Sequence, residues 1–307
     1  MLGTWCGGEP FRVLRMTAAG RAAWDELRAG PVATAAGGRL ARRFTDAGLA
    51  HPVPPRVTGR PDLTVIVPVH DRADALDRCL AALGDRFPVI VVDDGSRDAA
   101  AVARVAARHG AELVRRPRNG GPAAARNTGV AAAQTQLLLF VDSDTVPSGD
   151  WIAPLVAHLG DPVVAAVAPR ITPLADRGWA GRFTATRGAL DLGARPASVR
   201  PYGRVSYVPS TALLVRRAAL AGTGFDARLR VGEDVDLVWR LLAGGWTVRY
   251  EPGVSVGHVE PRGWRRLLAR RFRYGTSAAP LATRHPGNVA PLVLHSWFAA
   301  AALGAAA

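Results

Sequence analysis

Three apolar runs in the first half of the chain break off into carboxylates. LTVIVPV (63–69) leads into His70-Asp71, VIVV (89–92) into Asp93-Asp94, and LLLFV (137–141) into Asp142-Ser143-Asp144. A run with no polar alternation is the pattern of a strand covered on both faces, as in a parallel sheet. Helical spacing fills the gaps. Leu76, Cys79, Leu80 and Leu83 recur at i, i+3, i+4 and i+7, residues 98–109 are rich in Ala and Val, and NGGPAAARNTGVAAAQ (119–134) opens on Gly and Pro. With AELVRR (111–116) as a further strand, this alternation predicts βαβ units and a mostly parallel α/β sheet with flanking helices. In such sheets ligands bind beyond the carboxyl ends of the strands. All the acidic ends fall there. Paired carboxylates repel and are costly to desolvate, so this rim calls for something positive between them.

The rest of the chain divides around that unit. Residues 1–60 read as a short strand, a helix capped at Thr17, a second helix from Arg39 to Ala47 stopped by Gly48, and the Pro-rich linker HPVPPRVTGRP. That predicts a small α+β module, winged-helix-like, or a brace on the main domain. Residues 61–275 hold the α/β domain. After 150 the alternation loosens: a helix near 151–160, a strand at VVAAVAPRI, a loop-rich stretch at 172–206, a strand at YVPSTALLVRR, a helix at 232–245 and an extended WTVRYEPGVSVGHVE. GWRRLLARRFRYG (263–275) is a basic helix with Trp264, Leu267, Leu268 and Phe272 set among the arginines. It reads as an interfacial helix or as a solvated helix over a cleft. The 276–307 tail ends in APLVLHSWFAAAALGAAA, which approaches spanning length. It reads as a packed helix or as the start of a membrane-associated segment cut short at Ala307.

Composition excludes some classes. The chain is 49% hydrophobic and 21% charged, which is globular rather than disordered. Its formal charge of +14 is carried by arginine, an excess that GC-rich coding produces and that also attracts phosphates and anionic lipid. Cys6 and Cys79 lie far apart, fit no metal spacing and imply a reducing, cytoplasmic compartment; the N-terminus lacks a signal-peptide pattern. Nucleic acid is not an expected partner, because aromatics are only 7% and no basic–aromatic cluster before residue 263 fits a known module. A dinucleotide-dependent oxidoreductase would need G-x-G-x-x-G after the first strand, where VPVHDRAD has no glycine.

Each motif has two readings when taken alone. Asp142-x-Asp144 suits Mg²⁺ or Mn²⁺, hard cations that share carboxylates with substrate phosphates, or it caps the turn that follows. Asp94 accepts hydrogen bonds from a ribose or a uracil N–H, or with Ser96 caps the next helix. Gly120-Gly121-Pro122 lets backbone approach a phosphate at a helix N-terminus, and Arg126 one turn later meets a base or phosphate or solvent. Asp234, beside Glu233 at a helix start, is a candidate general base, whereas Asp236 is spaced to bridge Arg240. His258 is a third metal ligand or a satisfied histidine.

In order and spacing, VIVPVHDR, VVDDGS, GGPAAARNTG, FVDSD and GEDVDLVWRLLAGGW resemble the family-2 glycosyltransferases of GT-A fold, over roughly residues 62–275. The resemblance implies roles. Pro68, His70 and Asp71 form the nucleotide loop after the first strand, with His70 where a stacking aromatic often stands. Asp94 pairs with uracil or its ribose, Gly121 and Arg126 contact the base or diphosphate, and Asp142 serves the ribose. Asp144, with His258, binds Mg²⁺ or Mn²⁺, and Asp234 is the catalytic base. ArgArgPheArgTyr (270–274) is similar to the Q/R-x-x-R-W motif of chain-extending members, with Tyr274 for Trp, so processivity does not follow. The N-terminal GG-x-P-F-R-x-L-R-x-T block, ARRFTDAGLAHP and RRFRYGTSAAPL further resemble the glycosyltransferases of mycofactocin maturation. That implies UDP-glucose as donor, a peptide-derived redox cofactor or its growing β-glucan as acceptor, inversion at the anomeric carbon, and a location on or anchored in the cytoplasmic membrane through the C-terminal region. It also implies that the N-terminal block handles the peptide part. Two alternatives remain at this level: a transferase for envelope polysaccharide or polyprenyl phosphate, and a non-catalytic sugar-nucleotide binder.

Overall fold

The computed structural model describes residues 4–174, 178–222 and 224–290. The expected apolar tail segment at 291–307 lies outside the described residues. The chain begins with a hairpin, β1 (Thr4–Gly7) and β2 (Arg12–Arg15), followed by α1 (Ala18–Ala29) and α2 (Ala35–Asp46). Thr17 caps the first helix, as read from sequence, by accepting from the Gly20 amide. The second begins earlier than expected because Thr34 accepts from the Gly37 amide and sets the start there. Trp5, Trp24 and Phe44 form a small aromatic core, with Trp5 and Trp24 ring centroids 4.2 Å apart. The module is pinned to the main domain by Arg42 to Asp161 at 2.8 Å and by Glu9, which accepts from the Arg204 amide.

The main domain follows as β3 (Leu63–Val69), α3 (Ala73–Leu83), β4 (Val89–Asp94), α4 (Ala99–Arg108), β5 (Glu112–Arg116), α5 (Pro122–Ala132) and β6 (Leu137–Val141). Then come β7 (Thr145–Pro147), α6 (Ile152–His158), β8 (Val164–Leu174), α7 (Trp179–Arg187), β9 (Ala197–Ser198) and β10 (Ala212–Arg216). The last described elements are α8 (Glu233–Ala243), β11 (Thr247–Val259), α9 (Trp264–Gly275) and α10 (Ala278–Arg284). The stretch at 172–206, expected to be loop-rich, also contains α7.

The main sheet runs β5-β4-β3-β6-β10-β8-β11-β7, with β9 beside β11. Its first four strands are parallel. Beyond them the sheet is mixed: β10 is antiparallel to both β6 and β8, and β11 is parallel to β8. Side chains alternate between two buried layers. Ile66, Val92, Phe140 and Leu213 face α5 and α8; Val65, Val67, Leu139 and Leu214 face α3, α4 and α6. Helix α5 lies close on the sheet because Gly129 has no side chain: a Cβ there would stand 2.3 Å from Ile66 Cγ2. The carboxyl ends of β3, β4 and β6 are thereby brought to one edge.

Candidate active site

The first strand end ties itself to the second. Asp71 adopts a positive φ of 53°, its amide donates to Ser96 Oγ at 3.0 Å, and its carboxylate accepts from the Arg97 amide at 2.7 Å. Pro68 sits inside β3 opposite Val92, and His70 Nε2 lies 3.5 Å from Asp71 Oδ2. Asp93 is fully buried, accepting from the Ser96 amide and from Arg115. Asp94 is buried too. Its two oxygens accept from the Gly120 and Gly121 amides at 3.0 and 2.8 Å, and Arg116 Nε lies 2.8 Å away. Asp94 therefore shapes the glycine loop, and Gly121, at φ 90°, starts α5 from a conformation that favours glycine. Neither Asp94 nor Ser96 caps the helix after β4; Asp98 does, accepting from the Ala101 amide.

Arg126 is buried rather than presented to solvent. It donates to Asp142 at 2.6 Å through Nη2 and to Glu233 at 2.8 Å through Nη1, so both ends of the guanidinium fork are engaged. This joins the end of β6 to the start of α8. Asp234 follows Glu233 and accepts from the Val235 and Ser210 amides at 2.8 and 3.2 Å. Three carboxylates thus share one guanidinium, and a single positive charge cannot neutralise them all. Desolvation raises the Asp234 carboxyl above its ordinary range, against the pull of Arg126. Glu233 is pushed up to about 7 by desolvation and then by the charge of Asp234, despite its ion pair.

Asp144 has the opposite setting. Arg72 Nη1 donates to Oδ2 at 2.5 Å, and His258 Nε2 stands 3.4 Å from Oδ1. Burial raises its pKa, but the hydrogen bond and charge of His258, together with Arg72, outweigh burial and leave it at about 2. His258 Nδ1 faces Glu260 at 3.0 Å, and Arg270 of α9 donates to the other Glu260 oxygen. Flanked by two carboxylates, His258 is held at about 9 despite burial.

The site is an acidic, strand-end rim on a half-parallel sheet, with carboxylates of opposed proton affinity. The sequence model described as "Glycosyl transferase family 2" matches residues 64–221. The chain belongs to glycosyl transferase family 2. Among curated relatives, the pre-mycofactocin glycosyltransferase of Mycobacterium tuberculosis (strain ATCC 25618 / H37Rv) is 44% identical over 293 residues, covering 94% of this chain and 62% of that protein. The chain thus spans about three fifths of that relative's length. Among solved structures, the mannosyltransferase PcManGT of Pyrobaculum calidifontis, in complex with GDP-Man and Mn²⁺, superposes with a TM-score of 0.55 at 23% identity, covering 94% of this chain and 91% of that one. The S. aureus TarS 1–349 complex with UDP-GlcNAc superposes with a TM-score of 0.53 at 20% identity over 66% of this chain and 60% of that one. At those identities the likeness shows the GT-A fold.

In this family 2 domain the rim brings together Asp142, Arg126, Glu233 and Asp234 on one side and Asp144 with His258 on the other. Tyr274, noted in the sequence only where the chain-extending motif has Trp, stands near them. Burial pushes its hydroxyl up to about 12 against the charge of Arg270, and the charges of Asp142, Asp234 and Asp144 add to the rise. Arg72, Glu260 and Tyr207, the last beside Asp234, are further residues that the motifs did not flag. Only Tyr274 carried a signal, as the last residue of the RRFRY stretch. The donor chemistry fits a hard divalent cation that displaces the His258 proton: the Asp144 carboxylate and a then-neutral His258 imidazole lie side by side. Among the described residues no third His, Cys, Asp or Glu completes a cage, so the remaining ligands are left to a diphosphate and water, the usual pattern for Mg²⁺.

Proposed function

We propose that the chain is the catalytic part of an inverting, metal-dependent hexosyltransferase. It moves glucose from UDP-glucose onto a hydroxyl of a peptide-derived redox cofactor, or onto the β-glucan growing on it. The observation that carries this reading is the divergence of two carboxylates on one rim: Asp144 held ionised at about 2, and Asp234 held with raised proton affinity. Opposed pKa values mark distinct chemical roles. The similarity to the pre-mycofactocin glycosyltransferase supports the acceptor class.

Asp144 and His258 would hold Mg²⁺ or Mn²⁺, which when bound neutralises charge on the leaving diphosphate. Asp142 orients the ribose, with Arg126 fixing its carboxylate. Asp71 shapes the loop of Pro68 and His70, and Asp94, which takes up the Gly120 and Gly121 amides itself, fixes the turn against which the donor would lie. Asp234 takes the proton from the acceptor hydroxyl as that oxygen attacks the anomeric carbon from the face opposite the leaving group. A single displacement of this kind inverts configuration and turns an α-donor into a β-glycoside. The N-terminal module handles the peptide part of the acceptor.

The test is incubation with a panel of UDP-sugars and Mn²⁺, reading UDP release, acceptor mass and product anomeric configuration. Glucose transfer with a β-linked product is expected. Transfer only of another sugar, or retention of configuration, overturns the corresponding part of the proposal. Binding of UDP-sugars without turnover would instead favour a sensor.

A further inference from the structure

Helix α9 turns its apolar stripe outward. Leu267 and Arg270 face the protein, whereas Trp264, Leu268 and Phe272, at i, i+4 and i+8, are 46%, 60% and 78% exposed. An amphipathic helix ordinarily buries such a stripe. Helix α7 extends the same face. Phe183 packs against Trp264 with ring centroids 5.4 Å apart, Arg271 lies over Phe183 and donates to the Arg187 carbonyl at 2.6 Å, and Arg182 lies 4.3 Å over Trp179, which is 77% exposed. The two helices read WAGRFTATR and WRRLLARRFRYG, with two and five arginines respectively and no acid. Exposed aromatics and leucine ringed by arginine mark an interaction surface that is apolar and cationic together.

We propose that this α7–α9 face docks on an anionic lipid bilayer. The charge selects this occupant. A second copy of a chain with net charge +14 would repel it, and residues 286–307 contain no acid to meet the arginines. Duplex nucleic acid would satisfy the arginines but leave the Leu268 and Phe272 stripe in water. An anionic headgroup layer over acyl chains satisfies both at once, with aromatic rings at the interface and arginine stems snorkelling to the phosphates. Among the described residues no helix is long and apolar enough to cross a membrane, so the contact is peripheral there. The inference goes beyond the transferase reading and does not depend on it.

The test is co-sedimentation of the whole chain with vesicles of phosphatidylcholine alone and of phosphatidylcholine with phosphatidylglycerol. Binding to the anionic vesicles is expected, weakened by salt and reduced about tenfold or more in Leu268→Ser/Phe272→Ser. A second variant, Arg265→Glu/Arg266→Glu, keeps the apolar stripe and should lose anionic selectivity; it stands in if the first fails to fold. Vesicle binding that survives both variants overturns the proposal, as does no binding to anionic vesicles. Tighter binding to duplex DNA through the same residues overturns it in favour of nucleic acid.

Discussion

Asp144 and Asp234 are the same residue type on the same rim, with opposed proton affinities. Asp144 has two cationic neighbours, Arg72 and the His258 it shares with Glu260, and its carboxyl falls to about 2. Asp234 feels Arg126 only through its charge, because the guanidinium's bonds go to Glu233 and Asp142, and desolvation raises it. The difference lies in how many cations each carboxylate can claim and how much water it keeps. A residue held ionised is suited to a cation and a diphosphate. One with raised proton affinity is suited to taking a proton.

The sharpest way to break the comparison is Asp234→Asn. It should cut transfer by roughly 10²–10⁴-fold while UDP binding persists, as loss of a general base does. In the unchanged protein, transfer should fall on acidification with a limb above the ordinary carboxylate value of 3.8. Normal transfer by the variant removes Asp234 from the chemistry.

Arg126→Met comes next. It leaves buried carboxylates without their shared cation and should cost about 3–5 kcal/mol in urea unfolding at pH 8. The pH dependence gives a second handle. Glu233, raised from 4.5 to about 7, binds a proton in the folded state that the unfolded chain releases. That stabilisation is complete below pH 4.5 and is lost as pH rises through 7, so the variant's deficit should shrink toward pH 5. Equal stability of variant and parent at pH 8 would dissolve the shared clamp.

On the Asp144 side the expected effect is smaller. Glu260→Gln loosens the imidazole that faces Asp144, and should weaken Mn²⁺ binding by about 10–100-fold in titration calorimetry. Unaltered affinity would mean that His258 is oriented some other way. The smallest effect serves as a control away from the rim. Thr17→Ala removes a helix cap and should lower stability by about 1 kcal/mol with the pH profiles unchanged.

The parallel half of the sheet was legible because its signals are local. The runs at 63–69, 89–94 and 137–141 became β3, β4 and β6, and Leu76, Cys79 and Leu80 became the buried face of α3. The Asp236–Arg240 bridge was likewise set by helical spacing, and is 2.8 Å long. The mixed half was harder to read, because β10 enters the sheet against the direction of its neighbours after a long excursion, and no periodicity encodes direction. Tyr274 and Glu260 come from chain regions more than a hundred residues past Asp142, and only packing of α9 carries Arg270 to Glu260.

By itself, the sequence determined which segments are buried strands, that their ends are acidic, and that the acids come in the order of a family 2 transferase. Burial pattern and motif order are properties of neighbours along the chain. What each acid does was decided by the tertiary structure alone. Asp94 shapes the glycine loop, Arg126 is clamped between two carboxylates, and Asp144 and Asp234 part company in proton affinity. Those outcomes depend on desolvation and on cations contributed by distant elements, and both exist only once the chain has closed around them.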